Sequence, residues 1–178
     1  MTDSSIEDVE TIDLGDMDQA EWNEYAMAQG WGGGSPLVMP AEASVERFLD
    51  TVRGDNEPIP AMSPRRVIPT LPVMAANAVM AGCRPEYFPA VLAATRAVLN
   101  PEYNLHGSLA TTHSCAPMLL VNGPIRKELD VNCSSNCFGQ GRQANATIGR
   151  ALQLILTNVG GAKPGIMDRS TQGSPAKY

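Results

Sequence analysis

The segment from Asn104 to Arg150 holds both histidines of the chain and three of its four cysteines: His106, His113, Cys115, Cys133 and Cys137. Thiols and imidazoles supply nucleophiles, general bases and metal ligands, so their concentration in one segment marks it as a candidate site. Within Thr111-Thr112-His113-Ser114-Cys115, the histidine and the cysteine are two residues apart. On an extended backbone such residues share a face. An imidazolium beside a thiol lowers its pKa and turns it into a nucleophile. The plainer reading is a packed cysteine beside a hydrogen-bonded histidine.

Cys133 and Cys137 are separated by three residues in Cys133-Ser134-Ser135-Asn136-Cys137. With His113 and Cys115 they make one His and three Cys, a ligand set that suits zinc, copper or an iron–sulfur centre. The same pair could cycle as a local disulfide, or the thiols could be structural. Next come Gly139, Gly141, Arg142 and Asn145, leading into a regular helix. Glycines before a helix free backbone N–H groups for an anion, and an arginine adds a bidentate partner. A tight loop feeding the helix, with Asn145 or Thr147 as its cap, explains the same residues. This is neither a Walker sequence nor a full dinucleotide fingerprint. The expected roles are therefore Cys115, Cys133 and His113 for catalysis. Gly139, Gly141, Arg142 and Asn145 would hold a cofactor or anion. Cys115, Cys133, Cys137 and His113 would be the ligands of a metal, if one is held. Cys83, after Gly82 at a helix end, reads as packing.

The positioning elements are mostly helical. Asp18 is placed to cap a helix over 19–29 that presents Trp22, Tyr25 and Ala26 and stops at Gly30. Pro40 opens a second helix with Val45, Phe48, Leu49 and Val52 at helical spacing, closed by Gly54. Five prolines between 55 and 73 exclude a helix there and suggest a wrapping connector. Small residues predict a closely packed helix from Met74 to Gly82, and another runs from about Glu86 to Leu99. Ile148, Ala151, Leu152, Ile155, Leu156 and Val159 trace one stripe, ended by Gly160-Gly161, with Arg150 on the solvated side. Val67-Ile68 reads as an edge strand and Met118–Val121 as a buried one. The expected fold is α/β, helix-rich, with a small mixed sheet that a partner chain completes. The expected organisation is a disordered acidic arm (1–17), a helical arm (18–54), the connector (55–73) and an α/β body (74–178).

With 178 residues, 43% of them apolar, the chain can build one core. Its net charge of −6 excludes a general nucleic-acid backbone binder. Nine acidic side chains and no Lys or Arg lie in residues 1–24, a solvated opening. There is no basic-then-apolar leader and no apolar run of membrane-spanning length. Four cysteines in a chain of this kind point to free thiols in a reducing compartment, the cytoplasm.

Several longer stretches are similar to a bacterial family of uncharacterised proteins. They are Asn77-Ala78-Val79-Met80-Ala81-Gly82-Cys83-Arg84-Pro85-Glu86-Tyr87, Asn104-Leu105-His106-Gly107, Ala110-Thr111-Thr112-His113, Val121-Asn122-Gly123-Pro124-Ile125 and Ala144 to Leu152. That family looks like the companion of proteins carrying a Cys-Gly-Ser-Cys or selenocysteine-Gly-Ser-Cys motif. Its typical members continue past the position of Tyr178. The resemblance implies a subunit whose second half is a separate chain, working with a thiol- or selenol-bearing partner. It supplies no catalytic residues to carry over. The expectation is a cytoplasmic, hetero-oligomeric enzyme subunit acting on a small organic substrate by thiol- or metal-dependent lyase, hydratase or hydrolase chemistry at a C–N or C–S bond. A redox relay subunit and a non-catalytic structural subunit are the alternatives. No nucleic acid and no membrane enters any of the three.

Overall fold

The structure is a computed structural model that describes residue 6 and residues 9–178. Seven α-helices carry the described residues: α1 (Gln19–Ala28), α2 (Glu42–Asp50), α3 (Leu71–Met80), α4 (Phe88–Leu99), α5 (Leu105–Leu109), α6 (Ile125–Glu128) and α7 (Gln143–Asn158).

The best-defined helix ends follow from local chemistry. Asp18 accepts from the Ala20 and Glu21 N–H groups, and the Glu21 carboxylate returns to the Asp18 N–H, a complete capping box. Helix α3 starts at Leu71, three residues earlier than the small-residue run suggests, because Pro72 fits the first turn where no N–H is needed. It ends at Gly82, whose φ of +83° lets Cys83 N–H reach the Ala78 carbonyl and Gly82 N–H reach that of Val79. This is the paired-bond C-terminal motif that a left-handed residue permits.

The core is built on α3. Met74, Ala75, Asn77, Ala78, Val79 and Met80 are all buried, so this helix is covered on nearly every side. Its alanines let α7 and α2 pack against it, while α4 packs on α7 and on α3. Asn158 of α7 donates through Nδ2 to Asn77 Oδ1 of α3 at 2.8 Å, and Asn77 Nδ2 donates to the Val73 carbonyl. Both ends of the buried Asn77 amide thus find partners where the helices cross. Phe48 of α2 meets Phe88 of α4 edge-on at 5.9 Å. Trp22, Tyr25 and Trp31 form a second aromatic group, each ring about 6 Å from the other two. The N-terminal helices therefore share the body's core.

The expected sheet does not form. Among the described residues there is no β-strand, only isolated bridges from Met62 to Val67 and from Pro164 to Asp168. The α/β expectation is thus corrected to an all-helical one. The edge strand at Val67-Ile68 shrinks to one bridge because the connector supplies no neighbour for Ile68 to pair with. Met118–Val121 is irregular, with Met118 and Leu120 turned outward. An apolar run identifies side chains that need cover but not what covers them.

Two further expectations change. Disorder over 1–17 falls partly on residues outside those described; within the described ones, Ile6, Leu14 and Met17 pack against the core. Arg150 is not a free surface cation. Its guanidinium donates to the carbonyls of Ala81, Ser35 and Pro36, tying α7 to the loop after α1. Burial pushes its pKa down, only partly offset by the neighbouring Cys83.

Candidate functional site

The thiol-bearing segment is the least regular part of the chain. Short helices α5 and α6 are its only regular elements before α7. Turns are set by Asn104, Asp130 and Asn136 at positive φ, a conformation that Asn and Asp tolerate better than most residues.

Cys115 is exposed, and its sulfur lies 3.9 Å from the Thr111 hydroxyl. The same hydroxyl accepts the His113 backbone N–H at 3.0 Å, which folds residues 111–115 into a tight turn. Tyr103 is close enough to Cys115 to feel its charge; burial first, and then that charge, push the phenol's pKa up. No hydrogen bond joins the His113 ring to Cys115 among the described residues. The tight turn replaces the extended backbone on which the two would share a face. His113 is instead held by its carbonyl, which accepts from the Ser170 hydroxyl at 2.6 Å. His106 faces elsewhere: its Nδ1 is 2.6 Å from the Ser63 hydroxyl of the proline-rich connector.

The second cysteine loop is organised by a residue assigned above to cofactor binding. Asn145, in the first turn of α7, accepts the Asn132 N–H at 2.8 Å and donates to the carbonyls of Asn132 and Cys137 at 3.0 and 3.1 Å. Its whole amide is spent on pinning the Cys133–Cys137 loop to the helix. Arg142 is engaged likewise, in a 2.7 Å ion pair with Asp130 on the surface. Gly139 and Gly141 lie in the exposed turn between them, Gly141 at φ +121°. Asn136 donates to the Gln140 carbonyl and closes that turn. These four residues build the loop and the start of α7.

All four cysteines are free. Among the described residues no three His, Cys, Asp or Glu side chains stand close enough to hold a metal ion, so His113, Cys115, Cys133 and Cys137 are not gathered into one ligand set. The environments of the thiols differ. Cys115 and Cys133 are exposed and Cys137 is half-buried. Cys83 donates to the Thr147 carbonyl, and burial pushes its pKa up to about 11. Titration of the native protein with a disulfide reagent at pH 8 is therefore expected to be ordered. Cys115 and Cys133 should react first, Cys137 more slowly, and Cys83, half-buried and bonded to the Thr147 carbonyl, last. Early modification of Cys83 by peptide mapping would contradict this placement.

One polar cluster carried no sequence signal. Asp168, Ser170 and Lys177 converge, with Lys177 Nζ 2.5 Å from Asp168 Oδ2 and 2.6 Å from the Ser170 hydroxyl. Backbone bonds from Arg169 and Thr171 to the carbonyls of Thr111 and Thr112 dock this segment on the histidine turn. The cluster is thus the brace behind His113. Burial raises the Asp168 pKa, but the hydrogen bonds from Lys177 and Ser170 outweigh it and hold the carboxyl below its usual range. Lys177, bonded to both Asp168 and Ser170, clasps this segment together.

Three of the clefts among the described residues are lined by no cysteine and no histidine. Cys115 and Cys133 are both open to solvent. In the same stretch of chain Met118, Leu120 and Phe138 are 72%, 87% and 90% exposed. No helix among the described residues is long and apolar enough to cross a membrane. Compared with protein-family models, with curated proteins and with solved structures, the chain matches none.

Proposed function

We propose that this chain is one subunit of a hetero-oligomeric, thiol-dependent enzyme, and that the face from Asn104 to Arg142 completes its site against a partner subunit. The observation that carries this reading is that one stretch of chain leaves Cys115 and Cys133 exposed together with Met118, Leu120 and Phe138, three large apolar side chains. Exposed apolar side chains grouped on one face mark an interaction surface more often than chance does.

In this reading Cys115 is the nucleophile, beside the Thr111 hydroxyl, and Cys133 lies on the same segment at the start of the loop that Asn145 pins. The substrate is a small organic molecule, and the reaction is lyase, hydratase or hydrolase chemistry at a C–N or C–S bond. The similarity to companions of Cys-Gly-Ser-Cys proteins supports a thiol- or selenol-bearing partner. Four free cysteines favour a reducing compartment, and the cytoplasm is the location we assign.

The test compares maleimide labelling of Cys115 and Cys133 in gently lysed host cells with labelling of the isolated chain. Both thiols are expected to be protected in the lysate and exposed in isolation. A Leu120→Ser/Phe138→Ser variant should lose that protection while keeping its helical circular dichroism. Equal labelling in both samples would overturn the proposal.

A further inference from the structure

The loop that Asn145 pins carries two of the four cysteines, and its hydrogen bonds fold it back on itself. Asn132, just before Cys133, accepts the Ser134 N–H through Oδ1 at 3.0 Å and donates through Nδ2 to the Ser135 carbonyl at 2.9 Å. The Cys137 N–H then donates to the Ser134 carbonyl at 3.2 Å. Asn136, at a φ of +62°, makes that reversal possible. The two ends of the loop meet at one atom, because Asn145 Nδ2 donates to the carbonyls of both Asn132 and Cys137.

These contacts bring the backbones of Cys133 and Cys137 toward each other. A four-residue turn holds its ends within about 7 Å, and Cys137 closes such a turn with Ser134, the neighbour of Cys133. A disulfide needs Cα atoms about 4.4–6.8 Å apart. Ser134, Ser135 and Asn136 between the cysteines are all exposed, so the loop is free to take up the adjustment that bond requires. The two thiols are also unequal, Cys133 exposed and Cys137 half-buried. An accessible thiol with a second one poised beside it is the arrangement in which one sulfur reacts first and the other resolves the product.

We propose that Cys133 and Cys137 form a reversible disulfide by exchange with a low-molecular-weight disulfide. The Cys133 thiolate attacks one sulfur of the reagent, the reagent's S–S bond breaks, and its first thiol leaves. The Cys137 thiolate then attacks the Cys133 sulfur of the mixed disulfide, and the second thiol leaves. The protein dithiol is oxidised by two electrons, the reagent is reduced to two thiols, and the two cysteine protons end on them. The reaction belongs to the chain whose thiol-bearing segment is uncovered, and it stands apart from the nucleophile role assigned to Cys115.

Trypsin makes the test direct, because the peptide from Glu128 to Arg142 holds Cys133 and Cys137 and no other cysteine. The full chain is incubated with excess oxidised glutathione, quenched with acid, alkylated at its remaining thiols, digested and weighed by mass spectrometry. The expected main product is this peptide short of two hydrogens, carrying neither an alkyl group nor glutathione. Dithiothreitol should return it to the dithiol. Cys137→Ser should instead retain glutathione on Cys133. Cys133→Ser should take up glutathione on Cys137 about tenfold more slowly than that, because the half-buried thiol is the less accessible one. A parent peptide that stays unmodified, or that holds glutathione on Cys133 without closing, overturns the proposal. So does a disulfide from Cys133 to Cys115. Equal rates in the two variants would overturn the assignment of Cys133 as the attacking thiol.

Discussion

Replacing Phe88 with alanine is expected to lower the unfolding free energy by about 3–5 kcal/mol. Phe88 is the first residue of α4 and is wholly buried. Its ring meets Phe48 of α2 at 5.9 Å, while α4 also packs on α7 and α3. The side chain therefore joins an N-terminal helix to the central helices. Truncation removes the transfer term for a whole phenyl ring and leaves a void that three helices cannot close together. Phe88→Leu, which keeps most of the volume, should cost about 1–1.5 kcal/mol. Urea unfolding followed by circular dichroism measures both. A loss below about 1.5 kcal/mol for alanine would mean that α2 does not depend on this contact.

The second large effect is expected at Arg96. Its guanidinium donates to both oxygens of Asp55, at 2.8 and 2.7 Å, and to the Glu57 carbonyl at 2.6 Å. The side chains of the pair are 14% and 26% exposed, so the charges are substantially withdrawn from water. This clasp holds the start of the proline-rich connector on α4, where no regular structure could. Arg96→Ala leaves a half-buried carboxylate without its partner, and the expected cost at pH 7 is about 2–3 kcal/mol. The cost depends on pH in a definite sense. The Arg96 hydrogen bonds, aided by the Glu57 backbone N–H and resisted by burial, hold the Asp55 carboxyl below its usual 3.8. A depressed folded-state pKa stabilises the fold above the unfolded value, and that contribution disappears as pH falls through it. The gap between parent and Arg96→Ala should therefore be full at pH 6–7 and shrink as pH falls below about 4. Asp55→Asn should flatten this part of the profile. Urea midpoints from pH 3 to 7 test it, and a gap independent of pH would rule out the ion pair as its source.

The helices were legible because their signals are short-range. The Asp18-x-x-Glu21 box and the stripe on α7 involve residues three or four apart, and both appear as expected. Leu154 and Thr157 are buried outside that stripe. They face the C-terminal segment across a cleft, and a stripe on one helix cannot report a cover that arrives from elsewhere in the chain. Met118–Val121 failed for the converse reason. Its composition asks for burial, but no strand among the described residues supplies a sheet.

The thiol segment divides in the same way. Sequence alone identified which thiols and imidazoles the chain has and that they cluster between Asn104 and Arg150. It could not show that Asn145 is spent on the Cys137 and Asn132 backbone, or that Arg142 pairs with Asp130. Those contacts depend on how the loop returns onto α7.

The sequence by itself determined the local elements of this protein: the capped helix at Asp18, the helical stripe of α7, the acidic opening, and an inventory of four cysteines with no run long enough to span a membrane. The tertiary structure alone decided the rest. It formed no sheet among the described residues, left Cys115 and Cys133 exposed, and bound Asp168 and Lys177 behind His113. It also brought Trp22, Trp31 and Asn158 together, although the Asn158 bond to Trp31 spans 127 positions. Backbone hydrogen bonds and side-chain spacing act over a turn or two, so residue order encodes them directly. Which faces meet is settled by packing of the whole chain, where each contact depends on all the others.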